Sequence, residues 1–274
     1  MNILLTGASS GIGKELVKNF SKKNVNLIVC SRSKSELKKL KKIKENIKYF
    51  KCDVSRESDV LKLKKFASKY FKKIDVLINA AGIYGEIGRF DKLNFTNWKK
   101  AIEVNFFGTV LICKYFIDLL LKSKVKKIIN FSGGGAFNAF PNFSAYACSK
   151  AAVVRFTENL AEEFKKYGVV ANCIAPGFNA TSMQDDVLKA GKIKAGKKFY
   201  DFVKKQVNKK KNYQISIPIN CINFLINNNL KNINGRTISA NFDQWSSKKF
   251  EKIINKKKNS DLFLMRRINI ANIK

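Results

Sequence analysis

Tyr146 and Lys150 stand in the run Ser144-Ala145-Tyr146-Ala147-Cys148-Ser149-Lys150. On a helix, a spacing of four residues stacks two side chains one turn apart on one face. A phenol loses its proton near pH ~10, so its use as an acid or base at neutral pH requires the phenolate to be stabilised across a few pH units, each worth ~1.4 kcal/mol. An ammonium group one turn away supplies part of that. The chain contains no histidine, which excludes a Ser-His-Asp triad, a Cys-His dyad and histidine-based metal sites. Proton transfer therefore falls to Tyr, Lys, Asp or Glu. The six cysteines, Cys30, Cys52, Cys113, Cys148, Cys173 and Cys221, lie far apart with no Cys-x-x-Cys pair. No zinc or redox motif follows, and no metal is assigned; these cysteines read as small buried apolar residues.

A lysine-rich chain produces Tyr-x-x-x-Lys by chance, so the pair gains its meaning from the segments that would position it. Thr6-Gly7-Ala8-Ser9-Ser10-Gly11-Ile12-Gly13 directly follows an apolar run at residues 3–5. Its glycines let backbone approach a pyrophosphate, and the N-terminus of the helix that follows supplies N–H donors and a positive dipole end. A strand before and a helix after are the context that a dinucleotide fingerprint requires. The second apolar run ends at Ser31-Arg32-Ser33, where an NAD-selective site would place an acid for the ribose 2′-OH. Arg32, with the hydroxyls of Ser31 and Ser33, suits a 2′-phosphate instead, so NADP (NADPH) is expected over NAD.

Short apolar runs alternate with segments of helical period, the pattern of βα units on a parallel sheet. Strands are expected at residues 3–5, 27–30, 49–52, 76–79, 127–131, 169–174 and 236–239, with helices beginning near Ile12, Lys34, Glu57, Asn97, Tyr146 and Pro218. The fold class is α/β, a doubly wound parallel sheet of about seven strands with helices on both faces. With 274 residues and 45% hydrophobic content, a single domain over residues 1–245 has enough apolar mass for one core. Residues 182–213 break the rhythm, are polar and hold Gly191 and Gly196, which suggests a mobile substrate lid. Residues 246–274 form a basic C-terminal tail, loose or packed on a neighbouring subunit. No run of about 18 apolar residues and no charged leader is seen, so no membrane partner and a cytoplasmic location are expected. The formal charge of +34 is spread along the whole chain with lysine far ahead of arginine, which reads as compositional drift; nucleic acid is not the expected partner.

The ordered set Thr6 to Gly13, Asp53-Val54, Asn79-Ala80-Ala81-Gly82, Asn105 followed by Gly108, Tyr146 with Lys150, and Pro176-Gly177 with Thr181 resembles the short-chain dehydrogenase/reductase family in its Gly-x-x-x-Gly-x-Gly form, over nearly the whole chain. The resemblance implies a Rossmann-type fold and an oxidoreductase interconverting a small-molecule alcohol and a ketone or aldehyde. It implies that Gly7, Ser9, Ser10, Gly11, Ile12 and Gly13 hold the pyrophosphate, that Asp53 and Val54 flank the adenine, that Asn79, Ala80 and Gly82 line the cofactor, and that Pro176, Gly177 and Thr181 hold the nicotinamide carboxamide. Tyr146 would be the proton donor, Lys150 would lower its pKa and bind the ribose, and Asn105 would extend a proton relay through water. The helices carrying Asn105 and Tyr146 would pair between subunits in a homodimer or homotetramer.

One position departs from the family pattern. The substrate-polarising serine is expected thirteen residues before the tyrosine, where this chain has Gly133 in Phe131-Ser132-Gly133-Gly134-Gly135-Ala136. At a strand end a shift by one residue turns the side chain to the other face. Ser132 replaces that serine if the glycines reshape the loop; otherwise polarisation falls to Ser144, a backbone N–H or a water, or the chain is a non-catalytic dinucleotide-binding relative. The glycine run leaves space for a bulky substrate. With the segment at residues 234–245 it is similar to a subgroup associated with surface-polysaccharide genes, which implies a sugar or nucleotide-sugar substrate. An epimerase or dehydratase shares the Tyr-Lys pair, but the glycine spacing and the chain length count against it.

Overall fold

The computed structural model describes residues 1–40, 47–179, 181–208, 215–256 and 261–265. Seven strands form one all-parallel sheet: β1 (Asn2–Thr6), β2 (Asn26–Ser31), β3 (Ile47–Lys51), β4 (Val76–Asn79), β5 (Lys127–Phe131), β6 (Val170–Ala175) and β7 (Thr237–Ser239), in the order β3-β2-β1-β4-β5-β6-β7. This is the doubly wound sheet expected from the alternation of apolar runs and helical segments; β4 and β5 have the expected bounds and the other strands differ from theirs by one or two residues.

The central strands are apolar on both faces because helices cover both. Ile3 and Leu5 of β1 face one core with Leu16, Val17 and Phe20 of α1 (Gly11–Ser21), Leu37 and Leu40 of α2 (Lys34–Leu40) and Ile222 and Leu225 of a later helix, Ser216–Asn227. Leu4 points the other way, into a second core with Val60 and Leu63 of α3 (Glu57–Tyr70) and Ile112 and Phe116 of a helix at Gly108–Leu121. The period of two thus splits one strand between two cores. Each fully buried leucine or isoleucine contributes about 1.5–3 kcal/mol.

After β4 the chain runs through α4 (Phe95–Ile102), one π-helical turn at Glu103–Phe107 and α5 (Gly108–Leu121) without a break in direction. The whole rod at Phe95–Leu121 is long and apolar enough to cross a membrane, yet half of its most apolar stretch is buried inside the protein, where α5 packs on α3 and β4. Helix α6 (Ser144–Glu163) follows β5.

The polar stretch expected as a lid is helical where described: α7 (Ser182–Ala195), kinked at Gly191, and α8 (Lys197–Asn208). Gly191 and Gly196 have φ of 77° and 80°, so these glycines are the kink and the break between helices. Residues 209–213 of the expected lid lie outside the described residues. Helix α9 (Ser216–Asn227) leads to β7, and α10 (Lys248–Ile254) follows. The expected tail is no loose appendage in its described part. Phe250 and Ile254 enter the first core, Thr237 N donates to Phe263 O at 2.8 Å, and Glu158 accepts from Met265 N at 2.6 Å. Residues 257–260 and 266–274 of the tail lie outside the described residues.

Candidate functional site

The carboxyl ends of β1, β4, β5 and β6 open onto one cleft of about 1180 Å³. It sits where the order reverses: β2 and β3 lie on one side of β1, and β4 to β7 on the other, with the helices after β1 and β4 on opposite faces of the sheet.

At one end of the cleft the walls are backbone. Gly7 has φ 67°, and a Cβ there would lie 2.6 Å from Ala81 N and 2.7 Å from Ala80 O. A Cβ on Gly13 would lie 2.2 Å from Gly7 O. The loop after β1 is therefore pressed against both the β4 loop and the first turn of α1, and a hydrogen is all that fits at these two positions. Helix α1 begins at Ser10, which is extended and gives no side-chain cap, so the N–H groups of its first turn are left for a ligand. Ser9, Ser10, Gly11, Ile12 and Gly13 line this end, as do Ser31, Arg32 and Ser33 at the end of β2. Arg32 is exposed and, among the described residues, makes no ion pair. Ser33 Oγ accepts from Glu36 N at 3.3 Å and starts α2.

Two residues expected at the cofactor sit behind the wall. The Asp53 carboxylate accepts from Ser55 N at 3.1 Å and Ser55 Oγ at 2.6 Å, closing a turn, while its neighbours Cys52 and Val54 line the cleft. Asn79 is buried and donates to Asn130 Oδ1 at 2.8 Å, tying β4 to β5; Ala80, Ala81 and Gly82 carry the lining instead. Pro176, Gly177 and Thr181 line the far wall after β6, and the Thr181 side chain would be 3.2 Å from a Cβ on Gly11.

Tyr146 and Lys150 come from α6 and are both buried, at 7% and 4% exposure. Lys150 Nζ donates to Phe131 O at 2.9 Å and lies 5.6 Å from the centre of the Tyr146 ring. Asn105 sits in the π turn, whose extra residue re-aims the side chain. Both amide N–H groups are engaged: Nδ2 donates to Ile83 O and Ser149 Oγ, both at 2.9 Å, while Oδ1 accepts from Ile83 N at 2.8 Å. Asn105 thus clamps the β4 loop to α6. A Cβ on Gly82 would lie 3.3 Å from Asn105 Oδ1 and 3.5 Å from Lys150 Nζ, so the bare glycine keeps the lysine open to the cleft.

At position 133 the phenol takes the room that a side chain would need. A Cβ there would lie 2.1 Å from Tyr146 Oη. Ser132 is 2% exposed, and among the described residues its Oγ has no hydrogen-bond partner. Ser144 accepts from Trp98 Nε1 at 2.9 Å and does not line the cleft.

Residues 1–192 match the short chain dehydrogenase family. The chain belongs to that family. Glucose 1-dehydrogenase 2 of Bacillus subtilis is 30% identical over 68% of this chain and 74% of its own length. A short chain dehydrogenase/reductase from Saccharomyces cerevisiae superposes with a TM-score of 0.80 at 27% identity, covering 89% of this chain and 98% of its own. ElxO with NADP bound superposes with a TM-score of 0.74 at 27% identity, covering 87% of this chain and 96% of its own.

Family membership implies a nicotinamide dinucleotide, and this member's cleft fits one. The glycine crossings leave a backbone cradle, the α1 N-terminus presents free donors, and Arg32 adds a cation at the end of β2. At the end that holds Tyr146 and Lys150, burial disfavours the charged form of each group. Desolvation pushes the Tyr146 phenol well above its ordinary range, reinforced by Tyr84, and pushes the Lys150 ammonium down to about 8. Tyr84 is raised to about 12, chiefly by burial.

Sequence reasoning missed the other wall. Tyr84, Phe140, Phe178, Met183, Gln184 and Phe199 line the cleft around Tyr146. Phe140 and Phe143, and Phe199 and Phe202, recur at a spacing of three, a periodic signal that marks an apolar face without saying what it covers.

Proposed function

We propose that this chain is an NADP-dependent oxidoreductase that interconverts an alcohol and a ketone or aldehyde, with Tyr146 as general acid and base. The observation that carries this reading is the placement of buried Tyr146 and Lys150 in the same cleft as the glycine cradle and Arg32. When bound, the nicotinamide cofactor supplies or accepts the hydride. In the reductive direction Tyr146 Oη gives its proton to the substrate oxygen, and in the oxidative direction it takes the proton back. Lys150 commits one N–H to Phe131 O and keeps two for a ribose hydroxyl and the phenol. Asn105 holds Ile83 and α6 in place, and the second lone pair of its Oδ1 is left for a relay water. Ser132, buried and without a partner among the described residues, supplies the polarising hydroxyl.

Arg32, with Ser31 and Ser33, receives the 2′-phosphate, which favours NADP; the NADP-bound structure of ElxO supports that class of cofactor. Gly11 to Gly13 and Ser9 with Ser10 hold the pyrophosphate, Val54 flanks the adenine, and Thr181 with the backbone at Gly177 holds the carboxamide. The enzyme acts as a homodimer or homotetramer in the cytoplasm. A sugar or nucleotide-sugar substrate has the name of glucose 1-dehydrogenase 2 behind it; the aromatic wall beside Tyr146 argues for a different class.

Gly133 favours one second reading, a dinucleotide-binding relative without turnover. Fluorescence titration with NADPH and NADH, followed by oxidation of NADPH with a panel of ketones, aldehydes and sugars, separates the two. Turnover that Tyr146→Phe abolishes supports the oxidoreductase; tight binding without turnover on any carbonyl supports the relative.

A further inference from the structure

The wall of the cleft beside Tyr146 is built from aromatic rings. Tyr84 lies edge-on to Tyr146 with centroids 4.8 Å apart. Phe140 stacks on Phe143 at 4.4 Å and 10°, and Phe199 of α8 meets both edge-on at 5.1 and 5.2 Å. Behind them Val187, Ala195 and Val203 of α7 and α8 are buried in the same cluster. Charged groups of α7 that line the cleft, Asp185, Asp186 and Lys189, are all exposed, so they form a solvated rim. Within the apolar part the Gln184 side chain hydrogen-bonds Tyr84, and among the described residues only its Oε1 is left without a partner. Gln184 is 5% exposed; its Nε2 donates to Asn179 O at 3.2 Å, and its Oε1 accepts nothing.

A buried acceptor without a donor costs free energy until a ligand supplies one. A sugar presents a hydroxyl on nearly every carbon, and any that is buried against rings without a polar partner loses its water without replacement. Flat apolar rings lose nothing there and gain stacked or edge-on contacts.

Resting on the oxidoreductase reading, the geometry points to a substrate whose carbonyl carbon is flanked by a flat, mainly aromatic ring system bearing one hydrogen-bond donor, which Gln184 Oε1 accepts. Phe140 and Phe199 set the ring preference, and Gln184 sets the donor preference.

Three probes test this in the full-length protein saturated with oxidised NADP, where a ketone binds without reacting: 9-fluorenone, 2-hydroxy-9-fluorenone and D-fructose. Calorimetry is expected to give roughly tenfold tighter binding of the fluorenones than of fructose, with the hydroxyl adding several-fold more. Gln184→Leu should remove the hydroxyl's advantage and leave 9-fluorenone unchanged. Phe199→Leu and Phe140→Leu, which keep an apolar side chain and with it the fold, should weaken both fluorenones several-fold. Fructose binding as tightly as the fluorenones overturns the assignment, as does a Gln184→Leu variant that weakens both fluorenones equally. NADPH oxidation with the same probes isolates the underlying reading. Aromatic preference in binding without oxidation of NADPH by any carbonyl keeps the pocket assignment and defeats the oxidoreductase, whereas turnover of fructose alone does the reverse.

Discussion

The two ends of the cleft recognise by different means. The cofactor end is backbone: Gly7, Gly13 and Gly82 hold loops so close that a single Cβ would collide or crowd, at 2.6, 2.2 and 3.3 Å from the nearest atom. The substrate end is side chain, with rings from the β4 loop, the loop before α6 and helix α8 meeting around Tyr146. A backbone cradle admits one ligand chemistry and tolerates no change, whereas a wall of rings can be altered one ring at a time while the sheet beneath it stays the same.

The largest expected effect separates the two ends. Tyr146→Phe keeps the ring and its contact with Tyr84 but removes the proton, so turnover should fall by about 10²–10⁴-fold. NADPH affinity, set at the other end, should stay within a few-fold of the parent. The check is single-turnover kinetics beside a fluorescence titration; a variant that loses NADPH affinity along with turnover would merge the two ends into one.

Gly13→Ala should act in the opposite sense. Its methyl would meet Gly7 O, a backbone atom that cannot swing away, and overpacking of this kind costs about 1–3 kcal/mol or more. The N-terminus of α1 must then lift from the β1 loop, and cofactor binding should fall by roughly two orders of magnitude, at ~1.4 kcal/mol per tenfold. Binding of 9-fluorenone measured without cofactor should survive. Equal loss of both ligands would show that α1 also supports the aromatic wall.

These two ends also differ in how far the sequence discloses them. The cradle is legible because close backbone approach is written in residue type: glycine at 7, 11 and 13 after a strand has few other uses. The strands are legible for a similar reason, since each apolar run is long enough for a strand and too short for a helix. The aromatic wall is not, because Tyr84, Phe140 and Phe199 are far apart in the chain and each alone is an ordinary core residue. Asn79 and Asp53 mark the limit of motif reading. Both stand in family positions, yet one ties β4 to β5 and the other closes a turn at Ser55. Residues 182–213 read as a mobile lid because they are polar and carry glycines; in the described part the buried face, with Val187 and Val203, is narrow and is interrupted at Gly191, which hides the helical period.

A smaller effect sharpens the cofactor end. Arg32 is the charged side chain at the 2′-phosphate position of that end, and a lost charge-assisted bond costs roughly 1.5–3 kcal/mol. Arg32→Ala should therefore raise the KM for NADPH by about tenfold or more and leave that for NADH nearly unchanged. Equal changes for both cofactors in steady-state assays would remove Arg32 from 2′-phosphate recognition.

The smallest effect concerns the cost of burying charge where the two ends meet. Burial lowers Lys150 from 10.5 to about 8, so below about pH 8 the folded protein holds an ammonium in a poor solvent. Between that value and the unfolded pKa the unfolded chain binds more protons than the folded one, and stability rises with pH. Tyr146 works the other way. Its folded pKa is raised, so above the ordinary phenol value the unfolded chain loses a proton that the folded chain keeps, and stability falls. Lys150→Met removes the first contribution and leaves the second. At pH 7 the variant should be more stable than the parent by a few kcal/mol at most, because each pH unit between the folded and unfolded pKa of a group is worth ~1.4 kcal/mol, less whatever the lost bond to Phe131 O contributes. The gap should shrink steadily from pH 8 to pH 10. Urea midpoints of both proteins at pH 7, 8, 9 and 10 measure it directly, and a gap that does not change with pH would mean that Lys150 is solvated in the folded protein and that the cleft around Tyr146 is wetter than its ring-lined wall implies.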